Sequence, residues 1–100
     1  MKRYISTKHG WQEVDARKIK SKHGLDLFFY RYDYLDSFEY VVCEGSSGMR
    51  IFNKDYIKDC TETELLKGLK DRNLTLEKFK SYISVAMKTA ITTCGEKPNN

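Results

Sequence analysis

The sequence predicts an α+β fold: an antiparallel three- to four-stranded meander followed by two C-terminal helices packed on one sheet face. Three observations predict it. The first half of the chain holds short segments rich in β-branched and aromatic residues, which are typical of strands. The second half carries apolar residues at helical spacing behind capping residues. The links between the strand-like segments are too short for crossover helices, which favours antiparallel neighbours.

The strands are expected in the first half of the chain. The first is a short segment, KRYIST, and the second is the alternating run WQEVDARKI. Gly24 interrupts the pattern, and the aromatic-rich LDLFFYRYDY that follows carries the strongest strand signal in the chain. FEYVVCE then begins a hairpin.

The stretch Gly-Ser-Ser-Gly at 45–48 is predicted to be the turn of that hairpin. A nucleophile elbow needs Gly-x-Ser-x-Gly, and a phosphate loop needs Lys-Ser/Thr at a helix start, so neither pattern is met. The four residues do tolerate positive φ, as a tight turn centred on Ser46 and Ser47 requires. We therefore expect Gly48→Val to destabilise the fold and Ser47→Ala to leave it nearly intact.

The centre of this turn also predicts the pairing of its two strands. Glu44 should lie opposite Met49, and Val42 opposite Ile51. Both faces of the hairpin are then substantially apolar, although a sheet covered by helices on one side ordinarily alternates apolar and polar residues.

Both helices are predicted from their first residues. Thr61 and Glu64 form a capping box, and Asn73 ends the helix that follows. Thr75 caps the second helix, in which the apolar positions with helical spacing are Leu76, Phe79, Ile83, Ala86, Met87, Ala90 and Ile91.

The length of 100 residues predicts one domain, which we place at 1–94, with a polar flexible tail at 95–100. Residues 1–20 hold no apolar run like that of a signal peptide, and no stretch approaches the ~20 apolar residues of a membrane span. We therefore expect a cytoplasmic protein with no membrane partner.

The residues that could carry chemistry form no known catalytic or metal-binding pattern. Cys43, Cys60 and Cys94 are odd in number and widely spaced, and His9 and His23 both precede glycine in polar stretches. We expect reduced, structural thiols. The sequence predicts no catalytic residue, no metal site and no cofactor, and therefore no enzyme.

A tyrosine-rich strand face is the leading candidate for a functional surface. Alternation along the third strand-like segment places four aromatic rings on one side, with acids beside them. The predicted partner-binding residues are Phe28, Tyr30, Tyr32, Tyr34, Asp33 and Asp36. Tyrosine suits interfaces because its ring buries area while its hydroxyl tolerates water. The alternatives are that the amino-terminal segment folds over this face, or that the tyrosines line a solvated sheet without binding a partner.

Charge separates two functional hypotheses. Residues 1–24 carry a net +5, residues 25–44 a net −4, and residues 45–100 a net +3. The first hypothesis is a non-enzymatic protein-interaction module that docks on a nucleic-acid-handling protein, or on itself, as accessory and inhibitor proteins of phages and mobile elements do. The alternative is nucleic-acid binding through Lys2, Arg3, Lys8, Arg17, Lys18, Lys20 and Lys22, with the sheet aromatics stacking on bases. Acids within the tyrosine strand would repel a phosphate backbone, which favours the first hypothesis.

Overall fold

A computed structural model describes residues 1–98 and shows an α+β fold in which the strands precede the helices. Five antiparallel strands form a meander in chain order. They are β1 (Lys2–Thr7), β2 (Gly10–Ile19), β3 (Leu27–Tyr34), β4 (Ser37–Glu44) and β5 (Met49–Lys54). A 3₁₀ turn (Ile57–Asp59) leads to helices α1 (Glu62–Asp71) and α2 (Leu76–Cys94).

The predicted fold class and element order are confirmed, but three to four strands is too few. The fifth strand arises because the chain reverses tightly between β1 and β2. Gly10 has a φ of 106° there, and the Thr7 hydroxyl donates to the Gly10 carbonyl over 2.7 Å. KRYIST is therefore a full strand that pairs along the first six residues of β2.

The sheet curls because β2 changes its pairing along its length. Residues 10–15 of β2 pair with β1, whereas Ala16 to Ile19 pair with β3. The β1–β2 hairpin thus bends over one face of the sheet. Its far end is fixed where the Ser6 amide donates to the Gly48 carbonyl over 3.1 Å.

The curl divides the interior into two apolar clusters, one on each face. The first lies under the helices and consists of Ile19, Leu25, Leu27, Phe29, Val42, Cys60, Leu65, Leu69 and Phe79. The second contains no helix residue and consists of Ala16, Phe28, Val41 and Cys43, with Ile5, Val14 and Tyr30 packed against it. The helices therefore cover one face, and the β1–β2 hairpin covers part of the other.

Residues 45–48 form a turn, as predicted, but the turn is built around a buried carboxylate. Glu44 is 2% exposed and accepts hydrogen bonds from the amides and hydroxyls of Ser46 and Ser47 over 2.7–2.8 Å. The Ser47 side chain is fully buried, and its Oγ also accepts from the Met49 amide over 3.1 Å. The expectation of a nearly neutral Ser47→Ala is therefore revised, because alanine would leave these buried groups without their partner.

The strand register beyond this turn also differs from the prediction. Glu44 lies opposite Met49 as expected, but a bulge at Val42/Cys43 leaves Ile51 without a partner on β4. Val42 consequently lies opposite Phe52 instead of Ile51.

Both helix starts are confirmed, but the capping box predicted at Thr61 is only half formed, because the Glu64 carboxylate pairs with Lys54 Nζ over 3.4 Å. Thr61 Oγ1 accepts from the Glu64 amide over 3.2 Å, and Thr75 Oγ1 accepts from the Lys78 amide over 3.1 Å. Asn73 has a φ of 57° at the end of the first helix, the left-handed conformation that asparagine tolerates.

The first residues of the expected tail contact the sheet. The Trp11 indole donates to the Gly95 carbonyl over 3.0 Å, and Lys97 Nζ donates to the Gly45 carbonyl over 3.0 Å. Residues 99–100 of that tail lie outside the described residues. Within residues 1–98, neither α1 nor α2 combines the length and apolar character needed to cross a membrane.

Candidate functional site

The β3–β4 hairpin extends beyond its neighbours in the sheet. Tyr30 is the last residue of β3 that pairs with β2, and Tyr40 is the first residue of β4 that pairs with β5. Residues 31–39, hereafter the arm, pair only within the β3–β4 hairpin, from Arg31 opposite Tyr40 to the tip. The arm is thus a two-stranded projection whose backbone edges and both side-chain faces are open.

The arm displays large apolar side chains. Tyr32, Tyr34 and Phe38 are 50%, 41% and 41% exposed, and Leu35 at the tip is fully exposed. Monomeric proteins rarely leave such side chains grouped in one place without a function.

Leu35 also has an unfavourable backbone conformation. Its φ of 49° lies in the left-handed region, which costs a residue with a Cβ roughly 1–2 kcal/mol. Glycine or asparagine would fit this two-residue hairpin loop better. The position therefore carries an exposed leucine at a cost to folding stability.

Contacts within the arm order the side chains on each of its faces. On one face, the Arg31 guanidinium lies 3.8 Å from the centre of the Phe38 ring, and Nε donates to Asp33 Oδ1 over 2.8 Å. On the other face, the Tyr32 and Tyr34 rings lie 5.7 Å apart. Packing of this kind restricts rotamers before any partner binds, which lowers the entropy cost of binding.

The arm carries a net negative charge. Arg31 is its single basic residue, against Asp33, Asp36 and Glu39, which gives a net −2. Asn53 Nδ2 of β5 donates to Glu39 Oε1 over 2.6 Å, so this carboxylate is anchored at the base of the arm.

The structure brings together four of the six residues proposed for partner binding. Tyr32, Asp33, Tyr34 and Asp36 all lie on the arm and are exposed. Phe28 lies at the other end of the strand, where the β1–β2 hairpin covers it completely, so it cannot contact a partner in this fold.

Tyr30 is intermediate in exposure between the buried Phe28 and the exposed residues of the arm. It is half-buried, and this burial, with smaller effects from nearby charges, raises the pKa of its phenol to about 12. It packs against the second apolar cluster and also borders the open end of the sheet face.

Sequence reasoning missed two residues of the arm. Leu35 and Phe38 lie within and just after the two-residue loop between the paired strands. An apolar residue at a hairpin tip was the available signal, because polar and glycine residues normally occupy such loops.

The seven basic residues of the alternative hypothesis do not form one surface. Lys2 pairs with Glu13 over 3.6 Å, and the Arg3 guanidinium pairs with Asp26 over 2.6 Å. Strand alternation places Arg17 and Lys18 on opposite faces of β2. Lys18, Lys20 and Lys22 line one cavity beside the start of α1, which Glu62 also lines. Lys8 lies in the β1–β2 turn.

Two of the three thiols are buried. Burial is the main cause that raises the pKa of Cys43 to about 12 and that of Cys60 to about 11, which keeps both protonated at neutral pH. Within residues 1–98, no group of three or more His, Cys, Asp or Glu side chains is placed to hold a metal ion.

Comparisons of the chain with protein-family models, with curated proteins and with solved structures gave no match.

Proposed function

We propose that this protein is a non-enzymatic interaction module that docks on a partner protein through the arm. The side chains that anchor the contact are Tyr32, Tyr34 and Leu35, which the partner buries. Asp33 and Asp36 lie at the rim of the contact. Aromatic anchors surrounded by polar residues are the usual composition of a protein interface.

The observation that carries this proposal is the exposed, left-handed Leu35. An unfavourable backbone conformation persists where it serves a function or where the surrounding fold requires it. Leu35 packs against nothing in the cores, so the fold gains nothing from a leucine here. A partner that buries the side chain would supply the missing benefit, about 1.5–3 kcal/mol for a leucine.

The charge of the arm indicates the kind of partner. A net −2 on a projection from a chain of net +4 favours a basic partner surface and disfavours a nucleic-acid backbone. Proteins that handle nucleic acids carry such basic surfaces, and a phage or mobile-element accessory or inhibitor protein would use the arm to occupy one.

Affinity purification from a lysate of the native host, treated with nuclease, tests this proposal. The wild-type protein should retain a specific protein, and Tyr34→Ala and Leu35→Asn should each lose it while keeping their circular dichroism spectrum and melting behaviour. Tyr56→Ala is the matched control, because Tyr56 is an exposed tyrosine outside the arm.

Two results would contradict the proposal. One is equal retention of the same protein by all four chains. The other is retention that depends on nucleic acid and disappears with nuclease, which would favour the alternative hypothesis.

A further inference from the structure

A groove lies beside the β1–β2 hairpin and is bordered on its other side by side chains of β3, β4 and β5. Its volume is about 470 Å³, within the range of small-ligand sites. Its lining includes Lys8, Gln12, Tyr30, Tyr32 and Arg50.

The lining of the groove is cationic. Lys8 and Arg50 both line it, and no acidic residue does. By contrast, Glu62 lines the cavity of about 390 Å³ next to α1, and Asp15 lines the cavity of about 340 Å³ at the base of the arm. In the part of the chain that the structure describes, no carboxylate oxygen lies within 4.0 Å of the Arg50 guanidinium.

The other side chains of the groove suit a flat ring and its polar edge. Tyr30 and Tyr32 are adjacent on one face of β3 and present aromatic surface beside Arg50. The phenol of Tyr30 is protonated at neutral pH, like that of any tyrosine, and can donate a hydrogen bond to the edge of a ring. The amide of Gln12 adds a polar group on the side of the β1–β2 hairpin.

We propose that this groove binds a nucleotide unit, with the phosphate at Arg50 and Lys8 and the base against Tyr30 and Tyr32. An arginine guanidinium matches two phosphate oxygens, and a lysine supplies a second positive charge. Base stacking on tyrosine needs no sequence-specific contact. The nucleotide is either free or part of a single strand, since both present the same phosphate and base. This site does not depend on the arm binding a protein.

Titration of ¹⁵N-labelled protein at 150 mM salt with inorganic phosphate, AMP and a dT6 oligonucleotide tests the proposal. AMP should shift the amide signals of β1, β3 and β5 around the groove and bind at least tenfold more tightly than phosphate. Tighter binding of dT6 than of AMP identifies a single strand as the source, and equal binding identifies a free nucleotide.

Matched variants locate the site. Arg50→Gln should weaken AMP binding about tenfold or more, and Tyr32→Ala about tenfold through lost stacking. Arg17→Gln and Tyr34→Ala should leave it unchanged, because neither residue lines the groove. Tyr34→Ala also separates the two proposals, since it should abolish protein binding by the arm and spare AMP binding.

Three results would overturn the nucleotide site. They are the absence of shifts with AMP and dT6, equal affinity for phosphate and AMP, and equal weakening by Arg50→Gln and Arg17→Gln. The last would indicate diffuse attraction to the basic chain instead of a site.

Discussion

The buried turn around Glu44 gives the sharpest prediction about stability. Ser47→Ala removes the hydroxyl that donates to Glu44 Oε1 over 2.7 Å and accepts from the Met49 amide over 3.1 Å. A hydrogen bond to a charged group contributes about 1.5–3 kcal/mol, and the Ser47 side chain that makes both bonds is fully buried. We therefore expect the free energy of unfolding to fall by about 2–3 kcal/mol. For a domain of this size, that loss lowers the melting temperature by about 10–20 °C.

Urea denaturation followed by circular dichroism measures this loss, with Ser46→Ala as the control. Ser46 donates to the same carboxylate, over 2.7 and 2.8 Å, but its side chain is only half-buried, so water can replace it. Ser46→Ala should therefore lower the free energy of unfolding by no more than about 1 kcal/mol. The buried carboxylate does not organise the turn if both alanine variants unfold at the same urea concentration. The same conclusion follows if Ser47→Ala unfolds at the same urea concentration as the wild type.

Three further predictions use the same urea assay. A Cβ at Gly48 would lie 2.7 Å from the Ser6 amide nitrogen, so Gly48→Ala should lower the free energy of unfolding by about 3 kcal/mol or more. Gly24 has a similar φ but lies in open space, so Gly24→Ala should lower it by only about 1 kcal/mol. A smaller loss at Gly48 would contradict the close approach of β1. Burial raises the pKa of Cys43 from 9.0 to about 12, so the unfolded thiol ionises first. Stability should therefore fall as the pH rises from 9 towards 12, less steeply in Cys43→Ala, and equal slopes would refute this. Leu35→Asn should raise the free energy of unfolding by up to about 1 kcal/mol, and a loss would mean that the leucine supports the fold.

The local features of this fold were readable from the sequence, but the curl of the sheet was not. Thr61 and Thr75 cap their helices as predicted because a cap depends only on residues three positions apart. The curl depends on β2 changing its partner from β1 to β3 at Ala16, and the alternation of side chains along a strand does not show where one pairing ends and the next begins. That change buries Phe28 and leaves Tyr32 exposed, although both lie on one face of one strand.

The candidate site shows the same division. Alternation correctly placed Tyr32 and Tyr34 together, but it could not show that pairing with β2 stops at Tyr30 and that the hairpin projects. The bulge that leaves Ile51 unpaired was equally hidden, because one extra residue on a strand changes no local pattern. The same holds for Ser47, since a Gly-Ser-Ser-Gly turn looks solvated until the position of the Glu44 carboxylate is known.

Shortening the arm tests the central claim most directly. Replacing residues 33–38 with Asn-Gly joins Tyr32 to Glu39 through a two-residue turn and leaves both apolar clusters intact. The measurement is the amount of the specific host protein that this variant retains, relative to the wild type, from nuclease-treated lysate. The shortened chain should melt cooperatively, as the wild type does, and retain none of that protein. Retention at the wild-type level by a folded shortened chain would show that the arm is not the binding surface.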